Sequence, residues 1–234
     1  MDFNIKTGQP EKQRTNCLVL AIFETGKLPE TTMKVDAATD GYISKIIKLG
    51  DITGKLGQSL VLHNIPNVSA DRILLIGCGK NNDFSDKAFR EAMQIAALQL
   101  NKMHLQDAVC CLSELIVPEY DMSWKLQTSV FALLSGAYKF DSYKSKENKK
   151  KSLQTGLSKV TFTVTSRREV EKAEQGVKIG IALGSGVQLT KDLANTPPNI
   201  CHPTFIAKAA QKLAKSYKNL SVAVLDRKHL ETLK

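Results

Sequence analysis

RILLIGCGK, residues 72–80, is the stretch on which the fold turns. Ile73 to Ile76 are apolar at every position. A strand with one wet face alternates apolar and polar residues, whereas a strand apolar throughout is buried on both faces. The run therefore predicts a strand deep in a sheet with helices on both sides. Gly77-Cys78-Gly79-Lys80 invites a phosphate-binding reading, and the spacing refuses it. A dinucleotide fingerprint needs glycine at position 82, which is Asn82. A P-loop needs glycine where Leu74 stands and Ser or Thr where Asn81 stands. A tight turn closing the strand is the better account.

Four similar runs lie on either side: CLVLAIF (17–23), LVLH (60–63), AVCCL (108–112) and VTFTV (160–164). All have strand length and are rich in large aliphatic or β-branched residues. Helical patterns separate them. Tyr42, Ile43, Ile46 and Ile47 share one face, closed by Gly50. Ser85 suits an N-cap, followed by a stripe of Phe89, Ala92, Ala96, Leu100 and Met103. A third stripe runs through Trp124, Phe131, Leu134 and Tyr138. Strands alternating with helices predict an α/β sandwich around a largely parallel or mixed sheet.

Residues 141–158 are polar and read as an exposed loop crowded with Lys144, Lys146, Lys149, Lys150 and Lys151. Ser166 with Glu169 fits a capping box. A proline-free helical pattern then continues to about Asn195, near 42 Å at 1.5 Å per residue, long enough for an inter-domain spacer. Glycines near 184–186 mark close packing or a soft bend, at roughly 1 kcal/mol each against alanine. Pro197 and Pro198 stop the helix. Pro203 suits the first turn of the next one, which carries Phe205, Ile206, Ala209, Leu213 and Tyr217 on one side and Lys208, Lys212 and Lys215 on another. LSVAVL (220–225) reads as a strand, and a short helix follows. Three such elements cannot enclose a core, so a second domain begins here without finishing. Its unpartnered apolar faces predict a mobile or adhesive tail over 203–234.

The chain has 234 residues and a net charge of +10. Residues 1–140 carry 15 basic and 15 acidic side chains, so the excess lies wholly in 141–234. That asymmetry points to a solvated basic surface or to a polyanionic partner such as DNA. The lysines of the two groups, Lys144 to Lys151 and Lys208, Lys212 and Lys215, could engage phosphates. No aromatics are interleaved for base stacking, so the expected binding is sequence-independent and salt-sensitive. No apolar run reaches membrane-span length and no signal-peptide core opens the chain, which predicts a cytoplasmic protein without a membrane partner. Cys17, Cys78, Cys110, Cys111 and Cys201 lack zinc spacing and read as free thiols, mostly buried. Cys201 beside His202 is a poor nucleophile–base pair, because adjacent side chains seldom face each other. No carboxylate cluster after Ser166 could hold a pair of divalent ions.

Several segments together resemble the leucyl (cytosol) aminopeptidase family, bacterial type. They are Lys191-Asp192-Leu193, Asn195, Pro197-Pro198-Asn199 and Pro203, with TGQPEKQRTNCLVLAIFE, DGYISKIIKLGDITGKLGQSLVLHNIPNV and RILLIGCGK. The resemblance implies a macro-domain-like three-layer sandwich over 1–165 with a mixed, mainly parallel sheet. It also implies a linker helix over 166–195 and the start of a peptidase catalytic domain over 196–234. It implies an intact enzyme that is a homohexamer, holds two divalent cations (manganese or zinc) and removes residues such as leucine from peptides. Some bacterial members also bind DNA. The family's catalytic motifs resemble K-G-x-T-F-D-x-G-G and N-T-D-A-E-G-R, and neither occurs among these residues. No catalytic or metal residue is therefore assigned here, no cofactor is expected on this chain, and the chain alone is expected to be inactive. A DNA-binding or oligomerisation module is the alternative. A macro-like fold also raises nucleotide or ADP-ribose binding by analogy.

Overall fold

The computed structural model describes residues 1–24, 26–143 and 156–233. It divides into two compact units, Met1–Gly186 and Val187–Lys234.

The first unit is built on six strands: β1 Asp2–Lys6, β2 Leu18–Ile22, β3 Ser59–His63, β4 Arg72–Gly77, β5 Asp107–Cys110 and β6 Lys159–Thr163. Their order is β1-β6-β5-β2-β4-β3. All neighbours are parallel except β3, which runs antiparallel to β4 along one edge. The expected mixed, mainly parallel sheet is thus present. β4 lies inside it, with Ile73 to Ile76 fully buried, as its unbroken apolar run demands.

The two faces of β2 feed two separate cores. Leu18, Leu20 and Ile22 pack with Val35 and Ile43, from α1 (Glu30–Ala38) and α2 (Tyr42–Leu49). Cys17, Val19 and Ala21 pack on the opposite side with α3 (Asp86–Lys102) and α4 (Met122–Ala137). This is a helix–sheet–helix sandwich. At the amino ends of the strands Asn16 acts as a tie. Its backbone N–H donates to Asp107 Oδ1 at 3.1 Å, its Nδ2 to Asp71 Oδ2 at 2.9 Å, and its Oδ1 accepts from the Gln106 N–H at 3.2 Å.

Ser85 caps α3, accepting from the Ala88 N–H. Phe89, Ala92, Ala96 and Leu100 of the predicted stripe are buried, and Met103 is half-buried. In α4 the buried face is Met122, Leu126, Val130 and Leu133, not the predicted Trp124, Phe131, Leu134 and Tyr138, which are half-buried. The reason is a second layer outside α4. α5, Val170–Asn195, buries Ala173, Gly176, Val177, Gly180 and Gly184. A methyl at Gly176 would lie 2.2 Å from the Ser123 carbonyl oxygen, and one at Gly184 would lie 2.5 Å from Leu134 Cδ1. Glycine at every fourth position gives α5 one bare face on which α4 approaches. Gly186 faces open space. The predicted capping box forms by half. Ser166 accepts from the Arg168 N–H across a 3-10 turn, while Glu169 accepts from the Thr165 hydroxyl.

β1 is absent from the sequence reading. It has only Phe3 and Ile5 on its inner side, and it adds to the sheet by pairing with β6.

The second unit contains the end of α5, α6 (Pro203–Ser216) and α7 (Arg227–Thr232). Pro197 accepts from the Ile200 and Cys201 N–H groups in the turn, and Pro203 sits in the first turn of α6. No described residue from 187 to 233 is buried. LSVAVL (220–225) is exposed coil, not a strand. An isolated strand has no ladder to satisfy its N–H and C=O groups, so its apolar composition alone cannot make it one.

Candidate functional site

A concavity of the first unit lies at the carboxyl ends of the parallel strands. β2 and β5 are neighbours, yet the chain leaves them in opposite directions. From β2 it runs through α1 and α2 toward β3 and β4; from β5 it runs through α4 to β6. Such a switch point opens a crevice between the diverging loops, the usual ligand position in open α/β sheets. Here it is a cleft of about 530 Å³.

Each wall has a local cause. Gly8 to Glu11 leave β1 and enter a 3-10 turn beginning at Pro10. Pro29 precedes α1, and Thr31 and Thr32 face the cleft from its first turn. Thr32 donates to the Ala21 carbonyl at 2.7 Å, fastening α1 to β2. Thr31 donates to the Glu114 carboxylate. Glu30 pairs with Lys34 at 2.6 Å in an exposed ion pair. Glu11 Oε2 is buried without a hydrogen-bond partner among the described residues. The Cys111 thiol also lines the cleft, and burial pushes it well above the ordinary thiol range, with Glu114 adding to the effect.

This lining is acidic. The amino end of α1 would suit an anion, but Glu114 already stands there. Phosphate groups would meet Glu11, Glu30 and Glu114 together, so the cleft has the wrong charge for a nucleotide or ADP-ribose. Among the described residues no group of three His, Cys, Asp or Glu is placed to hold a metal ion.

Gly77-Cys78-Gly79 serves the backbone. A methyl on Gly77 would sit 2.1 Å from the Lys55 carbonyl oxygen. Gly79 adopts φ +75°, donates to the Gly54 carbonyl and accepts from the Glu24 N–H at 2.9 Å. The glycines let residues 54–58 cross the strand ends. Cys17, Cys78 and Cys110 are buried, and burial lifts each thiol to about 12. Cys201 is half-exposed. His202 occupies the N-cap of α6 without a side-chain cap bond.

Lys144, Lys146, Lys149, Lys150 and Lys151 lie outside the described residues. Lys208, Lys212 and Lys215 are exposed on α6. Lys208 and Lys212 flank a groove of about 540 Å³ in the second unit, whose floor includes Leu189, Leu193, Phe205, Ala209 and Leu213. Sequence reasoning missed the acidic cleft, since its carboxylates come from separate segments with no common spacing. It also missed Lys125, buried in α4 with Nζ donating to the Leu115 carbonyl at 3.0 Å.

Residues 19–147, more than half of the chain, match the profile of the cytosol aminopeptidase family's N-terminal domain. The chain belongs to the cytosol aminopeptidase family. Relatives described as "Probable cytosol aminopeptidase" in Dechloromonas aromatica and "Cytosol aminopeptidase" in Vibrio cholerae are 41% and 39% identical over 233 residues. Each alignment covers the whole of this chain but 46% of the relative, so the chain spans about half the length of the curated relatives it matches. The same fold occurs in a tomato leucine aminopeptidase mutant, with a TM-score of 0.78 at 20% identity, over all of this chain and 46% of that one. It also occurs in the bottromycin maturation enzyme BotP solved in complex with Mn, with a TM-score of 0.68 at 16% identity, over 94% of this chain and 40% of that one. The chain is thus an N-terminal portion of cytosol aminopeptidase homologues. Among the described residues no helix is long and apolar enough to cross a membrane.

Proposed function

We propose that this chain is the non-catalytic front part of a metal-dependent aminopeptidase that releases residues such as leucine from peptide amino termini. One observation carries the reading. The whole chain aligns with under half of each relative, and neither catalytic motif of the family occurs among its residues. The two divalent cations, manganese or zinc, would be held by the remainder of the intact enzyme, and hexamer assembly would involve that enzyme too. Residues 1–165 would form the amino-terminal domain, 166–195 the linker helix and 196–234 the entry to the catalytic domain. The absence of any buried residue in 187–233 supports this, because the apolar floor of the α6 groove then has a natural cover in further catalytic-domain structure.

The test is hydrolysis of leucine amide by the purified 234-residue protein with added manganese or zinc. The expected result is no release above buffer. Metal-dependent turnover by the pure chain overturns the reading. A second reading, sequence-independent DNA binding, rests on the exposed Lys208, Lys212 and Lys215 and on the charge excess of residues 141–234. It expects duplex affinity that falls steeply with salt. No affinity at low salt removes it.

A further inference from the structure

We propose that the free edge of β1 pairs antiparallel with the β1 of a second copy of this chain, joining the two sheets about a twofold axis at Asn4. The proposal goes beyond the aminopeptidase reading and does not depend on it.

β1 stands at one end of the sheet, with β6 as its neighbour in the ladder. Along a strand, successive residues turn their N–H and C=O groups alternately to one side and the other. The Asp2 N–H donates to the Ser158 carbonyl, and the Lys6 carbonyl accepts from the Val164 N–H. Asp2, Asn4 and Lys6 therefore turn their backbone groups to β6, while Phe3 and Ile5 turn theirs outward. Among the described residues no hydrogen bond reaches these outward groups. An open row of this kind is a template for another strand.

The residues of β1 select the occupant and its register. In an antiparallel pair, two opposed residues whose backbone groups face each other exchange both hydrogen bonds. Setting Phe3 against the partner's Ile5, and Ile5 against the partner's Phe3, uses every outward group of both strands. That register sets Asn4 against the partner's Asn4 on the axis. It also sets Asp2 opposite the partner's Lys6 and Lys6 opposite the partner's Asp2, so both charge pairs attract. A slip of two residues breaks both pairs and sets Asp2 or Lys6 against Asn4. Parallel pairing in register would set each charge against its like. Asp2 and Lys6 are exposed and make no ion pair among the described residues. On the other face Phe3 and Ile5 are half-buried against the α3–α4 core, and Phe3 stacks on Phe162 at 6.1 Å. Pairing with their copies carries that apolar layer across the axis and covers their exposed flanks. The opposite edge, β3, has no Asp, Glu, Lys or Arg to set a register.

Sedimentation velocity of the 234-residue protein at up to about 300 μM should show a reversible dimer, because so short an interface gives micromolar or weaker affinity. Asp2→Lys sets lysine against lysine at both ends of the pair, and Lys6→Asp sets aspartate against aspartate. Each should raise the dissociation constant at least about tenfold, and the double exchange should restore it. A contact elsewhere on the chain would not answer to that exchange. Opposed residues that exchange no hydrogen bonds have Cα atoms about 4.5 Å apart, within disulfide reach. In a Cys201→Ser background, Asn4→Cys treated with diamide as the oxidant should give a covalent dimer linked through position 4. Lys6→Cys, about 14 Å from its copy in this register, should not. A monomer at every concentration overturns the proposal. So does a dimer indifferent to the single exchanges, a double exchange that fails to restore affinity, or cross-linking no better at position 4 than at position 6.

Discussion

Replacing Gly176 by alanine tests how α5 is held. On helix propensity alone the change stabilises, because alanine is favoured over glycine in a helix interior by about 1 kcal/mol. The structure opposes this. The new methyl would lie 2.2 Å from the Ser123 carbonyl oxygen and 2.9 Å from that residue's Cα, both parts of the α4 backbone. No side-chain rotation relieves such a contact, so α5 must lift off α4. Lifting also loosens the contacts at Ala173, Val177, Gly180 and Gly184. Overpacking of this kind costs typically 1–3 kcal/mol, and an immovable backbone partner places it at the upper end, about 3 kcal/mol. The net is a loss of about 2 kcal/mol. Gly186 is the internal control, since a methyl there meets nothing within 4 Å. Gly186→Ala should gain about 1 kcal/mol. The two variants should therefore differ by about 3 kcal/mol, or roughly 6–12 °C in melting temperature for a unit of this size. Thermal unfolding followed by circular dichroism measures this directly. If Gly176→Ala melts as high as Gly186→Ala, α5 is not seated on α4 through its glycine face.

Two more predictions concern buried titratable groups. Burial lowers the Lys125 ammonium below its ordinary range. Between its folded value and the unfolded one the denatured chain holds the extra proton, so stability should rise with pH as the folded ammonium loses its proton. Wild type should gain on Lys125→Met as pH is raised from about 7 to about 10, and a denaturation difference constant across that range refutes it. Cys17, Cys78 and Cys110, each held near 12 by burial, should resist a thiol reagent at neutral pH while half-exposed Cys201 reacts. Rapid labelling of more than one thiol in the native state, counted by intact mass, contradicts that burial.

The sequence by itself determined the strands β2 to β6 and most of the helices. Runs such as Ile73–Ile76 carry their own burial in their composition, and Ser85 and Pro203 mark helix starts through local backbone chemistry. The proline stop at 197–198 and the uneven charge were equally local facts. The tertiary structure alone decided whatever depends on a partner. β1 is a strand because β6 gives it a ladder, whereas the more apolar LSVAVL stays coil without one. The buried face of α4 was misplaced because α5 covers part of its outer side. The signal, glycine at 176, 180 and 184, was visible but spoke of spacing rather than of its neighbour. The acidic cleft was illegible for the same reason. Glu11, Glu30 and Glu114 share no motif, and only the switch in strand order gathers them at one opening. Periodicity and caps are written along the chain, while pairing, close approach and convergent charge are properties of segments far apart in it.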